Sequence, residues 1–362
     1  MKKTTKKILI VLAVLAAIVV VLTFVFLGAL RKSLSAPVAD YDTRIEIWNT
    51  VAGNSSHSKL DDMNIDYEGN LLISTMRFTD VIVGEDYKDV ERTIDTFTYL
   101  QAIKGGYEKD TYEDQPYIIP YLVPNSKGAV IVIPGGGFAY KSMDGTTGEG
   151  KDIALELNEA GYNAFVLHYR SNPYEYPIPQ LDVQRAVRYL RYRADDFGFD
   201  PDKIGMIGFS AGGNQVGTYI NLIMGNNLFP DNYTPDEIDA VDDTVIAPAM
   251  IYPALTYNYN VPMLFSMFED ETVRNEGTRN ELLNMMDLKQ HINTAVSNQF
   301  ISYGTKDGMV GMDGTIAYFD SARNSGVSVT VAVADGEDHG YTFECYKEAY
   351  LSWLKEAFDE LQ

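Results

Sequence analysis

The sequence is poor in the residues that most often form disulfides and metal sites. Among its 362 residues there is one cysteine, Cys345, and there are four histidines. A single thiol excludes an intrachain disulfide and a cysteine-rich zinc centre. Cys345 falls within an apolar pattern typical of an amphipathic C-terminal helix, so we expect its side chain to be buried as a small apolar group.

Basic residues are also scarce. Lysine and arginine number 29 against 51 aspartates and glutamates, which gives a formal net charge of -22. Such a surface repels phosphate backbones, so we expect no nucleic acid partner. Hydrophobic residues make up 46% of the chain and charged residues 22%, a balance that favours a folded globular body over a disordered one.

Charge is absent altogether from one long segment near the N-terminus. The 23 residues from 8 to 30 carry no charged side chain. A helix of that length covers about 34 Å, enough to cross the hydrocarbon core of a bilayer. A cleaved signal peptide is the alternative, but its apolar region is usually shorter and is followed by a cleavage site of small residues, which is not evident here.

The charges that flank this segment predict its orientation. Four lysines precede it and two basic residues follow it, namely Lys2, Lys3, Lys6, Lys7, Arg31 and Lys32. The excess of lysine before the helix favours a cytoplasmic N-terminus. Residues 1–32 are therefore predicted to be a single-pass signal anchor, with the rest of the chain on the extracellular side. Residues 33–60 are polar and are expected to form a stalk, and residues 61–115 an N-terminal extension or extra strands.

From residue 116 to residue 362 the pattern becomes regular. Near-continuous apolar runs recur at 118–123, 129–133, 164–167, 204–209, 246–252, 300–303 and 327–332. Strands of a parallel sheet covered on both faces have this pattern, and amphipathic helical segments alternate with them. The sequence therefore predicts an α/β fold with a mostly parallel, doubly wound sheet and helices on both faces. The segment of about 254–298 lies between two strands and is expected to be a lid insertion.

A serine stands at the junction of one predicted strand and the next helix. Residues 208–212 read Gly-Phe-Ser-Ala-Gly and directly follow the run 204–209. A serine on such a tight turn exposes its hydroxyl, and the N–H of the next residue points toward a developing oxyanion. We therefore expect Ser210 to be a nucleophile and Ala211 to supply one oxyanion-hole donor.

A run of three glycines follows an earlier strand. Residues 134–138 read Pro-Gly-Gly-Gly-Phe after the run 129–133. Glycines leave the main-chain N–H groups uncovered, as an oxyanion hole requires, and the loop precedes the serine in the order expected for this fold. Gly136 and Gly137 are the predicted donors.

A base and an acid are needed to activate the serine. Of the four histidines only His339 follows the last predicted strand, and the order serine, acid, histidine is the one that this fold uses. Asp307 follows the run 300–303 and is the expected partner of the histidine. Asp313 is the competing carboxylate, but it is better explained as a helix cap. Asp338 is too close in sequence to His339 to be the usual partner.

Taken together, these motifs resemble the acetyl esterase and BD-FAE (feruloyl- and xylan-esterase-like) branch of the α/β-hydrolase superfamily. The resemblance covers roughly residues 115 to 345. It rests on residues 134–138, 148–150, 168–170, 182, 185–186, 208–213, 251–253, 304–307 and 339–340. The resemblance implies an α/β-hydrolase fold and an esterase that needs no metal or other cofactor. It also implies a small ester or acylated carbohydrate as substrate, commonly an acetyl ester of a sugar.

The residues that would contact such a substrate are aromatic. Phe138 ends the glycine motif, and Tyr257, Tyr259 and Phe265 lie in the lid segment, where they are expected to contact the acyl or sugar group. A peptidase of the same fold and a non-catalytic binding protein are the alternatives. A complete set of serine, histidine, aspartate and oxyanion glycines favours the esterase over the binding protein.

Overall fold

The computed structural model describes residues 2–35, 43–53, 115–139, 141 and 148–359. Residues 61–114 of the predicted extension 61–115 therefore lie outside the described residues. Eight strands form one sheet within the described residues, and their order across the sheet is β1-β2-β4-β3-β5-β6-β7-β8. They are β1 Ile45–Glu46, β2 Tyr117–Tyr121, β3 Ala129–Ile133, β4 Asn163–His168, β5 Ile204–Phe209, β6 Ala247–Ile251, β7 Asn298–Gly304 and β8 Ser328–Ala334.

The sheet is mostly parallel, as the sequence predicts. Pairs β1·β2 and β2·β4 are antiparallel, and the five pairs from β4·β3 to β7·β8 are parallel. Each apolar run in the sequence corresponds to a strand, with ends that agree to within two residues. Because both faces of the central strands are covered, those runs are continuous and do not alternate.

Helices cover the two faces of the sheet. The α-helices of the described residues are α1 Lys2–Ser35, α2 Lys151–Glu159, α3 Ile178–Tyr192, α4 Ala194–Phe197, α5 Ala211–Thr218, α6 Asp270–Arg274, α7 Glu276–Met285, α8 Met312–Asn324 and α9 Lys347–Asp359. Successive residues of a strand point to opposite faces. Ile131 accordingly packs in the core layer with α3, α5 and α8, whereas Val130 and Val132 pack in the layer with α2 and α9.

Part of the predicted stalk belongs to the folded body. Ile45 and Glu46 pair with β2, and Ile47, Trp48 and Ala52 are at most 4% exposed. The expectation of a stalk throughout 33–60 is therefore wrong for residues 45–53. A strand of two residues has too short an apolar pattern to be recognised in a polar segment.

Buried charged groups hold this segment to the body. Arg170 and Asp182 form a salt bridge between completely buried side chains. The Nη1 atom of Arg170 donates to the Ala52 carbonyl oxygen at 2.6 Å, and Trp48 Nε1 donates to Asp182 at 3.0 Å. Arg185 Nε donates to the Ile47 carbonyl oxygen at 2.7 Å. A buried ion pair is stable only when further hydrogen bonds satisfy both groups, and residues 47–52 provide several of them.

The uncharged N-terminal segment forms a helix, as the sequence predicts. Helix α1 contains the 23-residue stretch Lys6–Gly28, in which an 18-residue window has a mean hydropathy of 3.4, and none of the stretch is buried. This helix is long and apolar enough to span a membrane or to serve as a signal sequence.

Cys345 is exposed, so the expectation that its side chain is buried is wrong. It lies in the 3₁₀ turn Phe343–Cys345, and the amphipathic helix begins only at Lys347.

The segment 254–298 lies between β6 and β7. It contains the 3₁₀ turns Val261–Ser266 and Leu288–Gln290 together with α6 and α7. Strands β5, β6 and β7 are parallel neighbours, so their carboxyl ends meet at one edge of the sheet, and this insertion begins at that edge. Ligand sites of open α/β sheets occur at such an edge.

Candidate active site

Ser210 occupies a strained turn between β5 and α5. Its backbone has φ 51° and ψ −113°, a conformation that is rare for a residue other than glycine. The turn is tight because strand and helix nearly touch. A methyl group on Gly208 would lie 2.1 Å from the Gly212 carbonyl oxygen, and one on Gly212 would lie 2.0 Å from the Ile133 carbonyl oxygen. Glycine is therefore required at both positions.

The three predicted catalytic side chains lie in hydrogen-bond contact. Ser210 Oγ and His339 Nε2 are 2.8 Å apart, and His339 Nδ1 lies 2.8 Å from Asp307 Oδ2. These residues come from three separate loops, after β5, β7 and β8, at the carboxyl edge of the sheet. With the imidazole proton on Nδ1, the other ring nitrogen is free to accept the serine proton.

Asp307 is buried and held as an acceptor. It is 8% exposed, and the N–H groups of Met309 and Val310 donate to its second oxygen at 2.9 and 3.0 Å. Burial alone would raise the pKa of Asp307, but the hydrogen bonds from His339 and from these two N–H groups together lower it below its ordinary value. The carboxylate therefore stays ionised beside the imidazole at neutral pH. The competing Asp313 lies exposed in the first turn of α8.

Asp338 supports the loop that carries the histidine. Its Oδ1 atom accepts from the Gly308 N–H at 3.0 Å and from the His339 N–H at 2.7 Å. The hydrogen bonds from these two N–H groups lower the pKa of Asp338. The acid loop and the histidine loop are thus joined through one side chain. The main-chain contacts of Asp338 leave no pattern in the sequence, so its role in joining the two loops could not be predicted.

Two of the three predicted oxyanion donors lie at the serine. Gly137 and Ala211 line a small, mainly apolar pocket together with Ser210. Ala211 begins α5, whose N-terminal dipole favours negative charge at this point. The Gly136 carbonyl oxygen accepts from the Ala139 N–H at 3.1 Å, which closes a turn. The N–H of Gly136 stays a predicted oxyanion donor.

The predicted substrate contacts divide in the same way. Phe138 and Tyr257 line the pocket, whereas Tyr259 and Phe265 do not. Phe265 is 4% exposed in the core because the 3₁₀ turn directs it inward, and Tyr259 is 58% exposed at the surface. The other lining residues were not found from the sequence: Ala254, Thr256, Asn260, Met263, Met309 and Val310. They share no motif and meet only because the insertion folds over the loop after β7.

Metal ligands do not cluster in the part of the chain that the structure describes: no group of three histidine, cysteine, aspartate or glutamate side chains there could hold an ion.

Comparison with known proteins supports the architecture. The chain is 24% identical to the acetylxylan esterase of Xylanibacter ruminicola over 255 aligned residues. The alignment covers 66% of this chain and 48% of that protein. The chain thus spans about half the length of this curated relative.

Solved structures give the same picture of the fold. The acetyl ester-xyloside bifunctional hydrolase from Caldicellulosiruptor lactoaceticus superposes with a TM-score of 0.56 at 23% identity, over 69% of this chain and 89% of that one. MGS-M1, an alpha/beta hydrolase from a Medee basin deep-sea metagenome library, superposes with a TM-score of 0.50 at 20% identity. The superposition covers 67% of this chain and 93% of that one. The predicted α/β-hydrolase fold is therefore confirmed.

The family assignment follows from a sequence profile. The profile of the BD-FAE family matches residues 120–317, which contain the glycine loop, Ser210 and Asp307. That match covers more than half of the 362 residues. With the fold and the arrangement of residues around Ser210, it establishes that this chain belongs to the BD-FAE family.

Proposed function

We propose that this chain is a carboxylic ester hydrolase that removes small acyl groups, acetyl above all, from carbohydrates. The observation that carries the proposal is the hydrogen-bonded series from Ser210 through His339 to Asp307, which begins in a pocket that also contains Gly137 and Ala211. A serine–histidine–aspartate triad of this kind activates the serine hydroxyl. The N–H groups of the pocket would stabilise the negative charge that develops on the substrate carbonyl oxygen. The acetylxylan esterase among its relatives supports an acetylated sugar as substrate.

The reaction would proceed through an acyl-enzyme. Ser210 Oγ attacks the ester carbonyl carbon while its proton passes to His339 Nε2, and Asp307 stabilises the imidazolium that forms. The carbonyl oxygen becomes an oxyanion beside the N–H groups of Gly137 and Ala211. When the oxyanion collapses, the ester C–O bond breaks and His339 protonates the departing alcohol. Water then attacks the acyl carbon with His339 as its base, the bond from that carbon to Ser210 Oγ breaks, and His339 returns the proton to Oγ as the acid leaves.

The shape of the pocket supports a small acyl group. Tyr257, Met263 and Val310 surround the space beside Ser210. A methyl group added to Gly137 would come within 2.6 Å of the Met263 Cε atom, so this side chain packs against the glycine run 135–137, called the oxyanion loop from here on. Tyr257 is 3% exposed and its hydroxyl contacts the Met267 sulfur at 2.7 Å. These side chains narrow the space beside Ser210, which supports a small acyl group as the substrate's acid part.

The direct test replaces the nucleophile. Ser210→Ala should lower the kcat for p-nitrophenyl acetate by about 10⁴-fold or more, because no other group can form the acyl-enzyme. The variant should keep the far-ultraviolet circular dichroism of the wild type. Ester turnover that persists in folded Ser210→Ala would contradict the proposal, as would an amide substrate that the wild type cleaves faster than the ester.

Two aspartate variants provide the matched control for this test. Asp307→Asn should lose about 10³- to 10⁴-fold in kcat, because an amide at this position favours the wrong imidazole tautomer. Asp313→Asn alters a carboxylate six residues away that is exposed on α8, and it should retain the wild-type rate.

We further propose that Tyr259 forms a platform for the sugar on the alcohol side of the ester. Its ring lies against Gly311, where an added methyl group would be 2.7 Å from the Tyr259 Cδ2 atom. The neighbours Asn260 and Val310 line the pocket, so the ring lies beside its rim. An exposed aromatic face that packs on a glycine is suited to stacking on the apolar face of a sugar ring.

Substrate preference tests the platform. We compare kcat/KM for an acetylated xylo-oligosaccharide with kcat/KM for ethyl acetate. Tyr259→Ala should reduce the ratio of the two by about 3- to 10-fold, which corresponds to the free energy of one aromatic contact. Tyr259→Phe keeps the ring and should keep the ratio. Tyr192→Ala is the matched control, since that side chain is 47% exposed at the far end of α3. An unchanged ratio in Tyr259→Ala would remove Tyr259 from the site.

For the N-terminal helix we propose a membrane anchor, with the catalytic domain on the extracellular side. The length and hydropathy of Lys6–Gly28 support a span, and the lysines that precede it support this orientation. The full chain should fractionate with membranes in alkaline carbonate, and protease added to intact cells should digest the catalytic domain. Full protection of that domain, or recovery of a chain shortened at the N-terminus in the medium, would overturn the proposal.

A further inference from the structure

A buried carboxylate lies behind the oxyanion loop and has no place in the mechanism above. Glu149 is 4% exposed and lies two residues before α2, whose N-cap is Gly150. Its Oε2 atom accepts from the Gly135 N–H at 2.8 Å, and its Oε1 atom accepts from the Tyr252 hydroxyl at 2.9 Å. Burying a carboxylate is costly unless hydrogen bonds compensate for lost water. The two oxygens of Glu149 therefore join two separate segments of the chain.

The first of these segments is the oxyanion loop. Gly135 opens the glycine run and is pressed against the nucleophile, because a methyl group there would lie 2.9 Å from the Ser210 Cβ atom and 2.6 Å from the Phe209 carbonyl oxygen. Gly137, two residues further on, lines the pocket. A hydrogen bond to the Gly135 N–H therefore fixes the peptide from which the oxyanion loop starts.

The second segment forms a wall beside the catalytic histidine. The Tyr252 ring packs edge-on against the His339 ring, with 5.0 Å between the ring centroids. Its backbone has φ 34°, a strained value for a tyrosine, and the preceding carbonyl oxygen of Ile251 accepts from the Ser210 N–H at 2.9 Å. Burial, and then the nearby Glu149 charge, raise the pKa of Tyr252 well above its ordinary value, so its hydroxyl remains a donor.

We propose that Glu149 is a positioning residue of the active site. It fixes the oxyanion loop and the Tyr252 ring in their positions relative to each other and to Ser210. The inference rests on the proposed esterase function. A carboxylate suits this position because its two oxygens accept in different directions from two neutral donors. Without it, Gly135 and Tyr252 would each lose a buried acceptor, and the oxyanion donors and the imidazole would no longer be aligned with the same carbonyl group.

Turnover and affinity, measured separately with p-nitrophenyl acetate, test this role. Glu149→Ala should lower kcat by about 10- to 100-fold while KM changes by less than about 3-fold, because misalignment affects the transition state more than substrate binding. Glu149→Gln should recover most of the loss, since its oxygen can accept from Gly135 while its amide donates to the Tyr252 oxygen. Tyr252→Phe removes one of the two bonds and should lower kcat by about 3- to 10-fold.

A matched variant separates positioning from stability. Asp243 is also 4% exposed and accepts from a main-chain N–H, that of Gly225, but it lies before β6 at the opposite edge of the sheet. Asp243→Ala should reduce the unfolding midpoint, and its folded fraction should retain the wild-type kcat.

Each remaining outcome decides the proposal. A wild-type kcat in folded Glu149→Ala overturns it, as does a loss confined to KM. A Glu149→Gln variant as slow as Glu149→Ala would assign the effect to charge and also overturn it. Should Glu149→Ala not fold, Tyr252→Phe decides alone, and a wild-type kcat there overturns the proposal. A wild type that hydrolyses no ester would refute the proposed function itself, and the inference with it.

Discussion

The close approach of β5 and α5 at Ser210 is the constraint on which the rest of the site depends. Neither Gly208 nor Gly212 has room for a methyl group, and the serine between them adopts a backbone conformation that costs about 1–3 kcal/mol. This turn places Ser210 and Ala211 in the wall of one pocket at the carboxyl edge of the sheet. Every other functional group is arranged around this turn, and Ile251 and Gly135 contact the serine directly.

The sequence predicts the parts of this arrangement that follow local rules. Continuous apolar runs are dictated by burial of a parallel sheet on both faces, so the positions of seven strands could be deduced. The glycine-flanked serine and the glycine loop have fixed local requirements, and the scarcity of histidine left few candidates for the base. His339 and Asp307 could therefore be named from chain order, and the structure brings both to Ser210.

Contacts between distant segments could not be predicted in this way. Glu149 meets Tyr252 across 103 positions of the sequence, and Trp48 meets Asp182 across 134. Neither pair has a spacing or period that marks it. The pocket residues Met263 and Val310 likewise meet only through tertiary packing. Tyr257 and Phe265 show the same limit within one segment: Tyr257 precedes the 3₁₀ helix Val261–Ser266 and lines the pocket, whereas Phe265 lies in that helix and packs in the core.

The proposed ester hydrolysis requires Ser210 to form a covalent acyl-enzyme in a pocket that stabilises an oxyanion. The most direct measurement is to treat the full chain with a fluorophosphonate and to locate the adduct by peptide mass spectrometry. A fluorophosphonate reacts with a serine only where a base activates it and donors stabilise the charged oxygen. We expect one adduct per chain, on Ser210. A folded chain that remains unlabelled, or that carries the adduct on another residue, would contradict it.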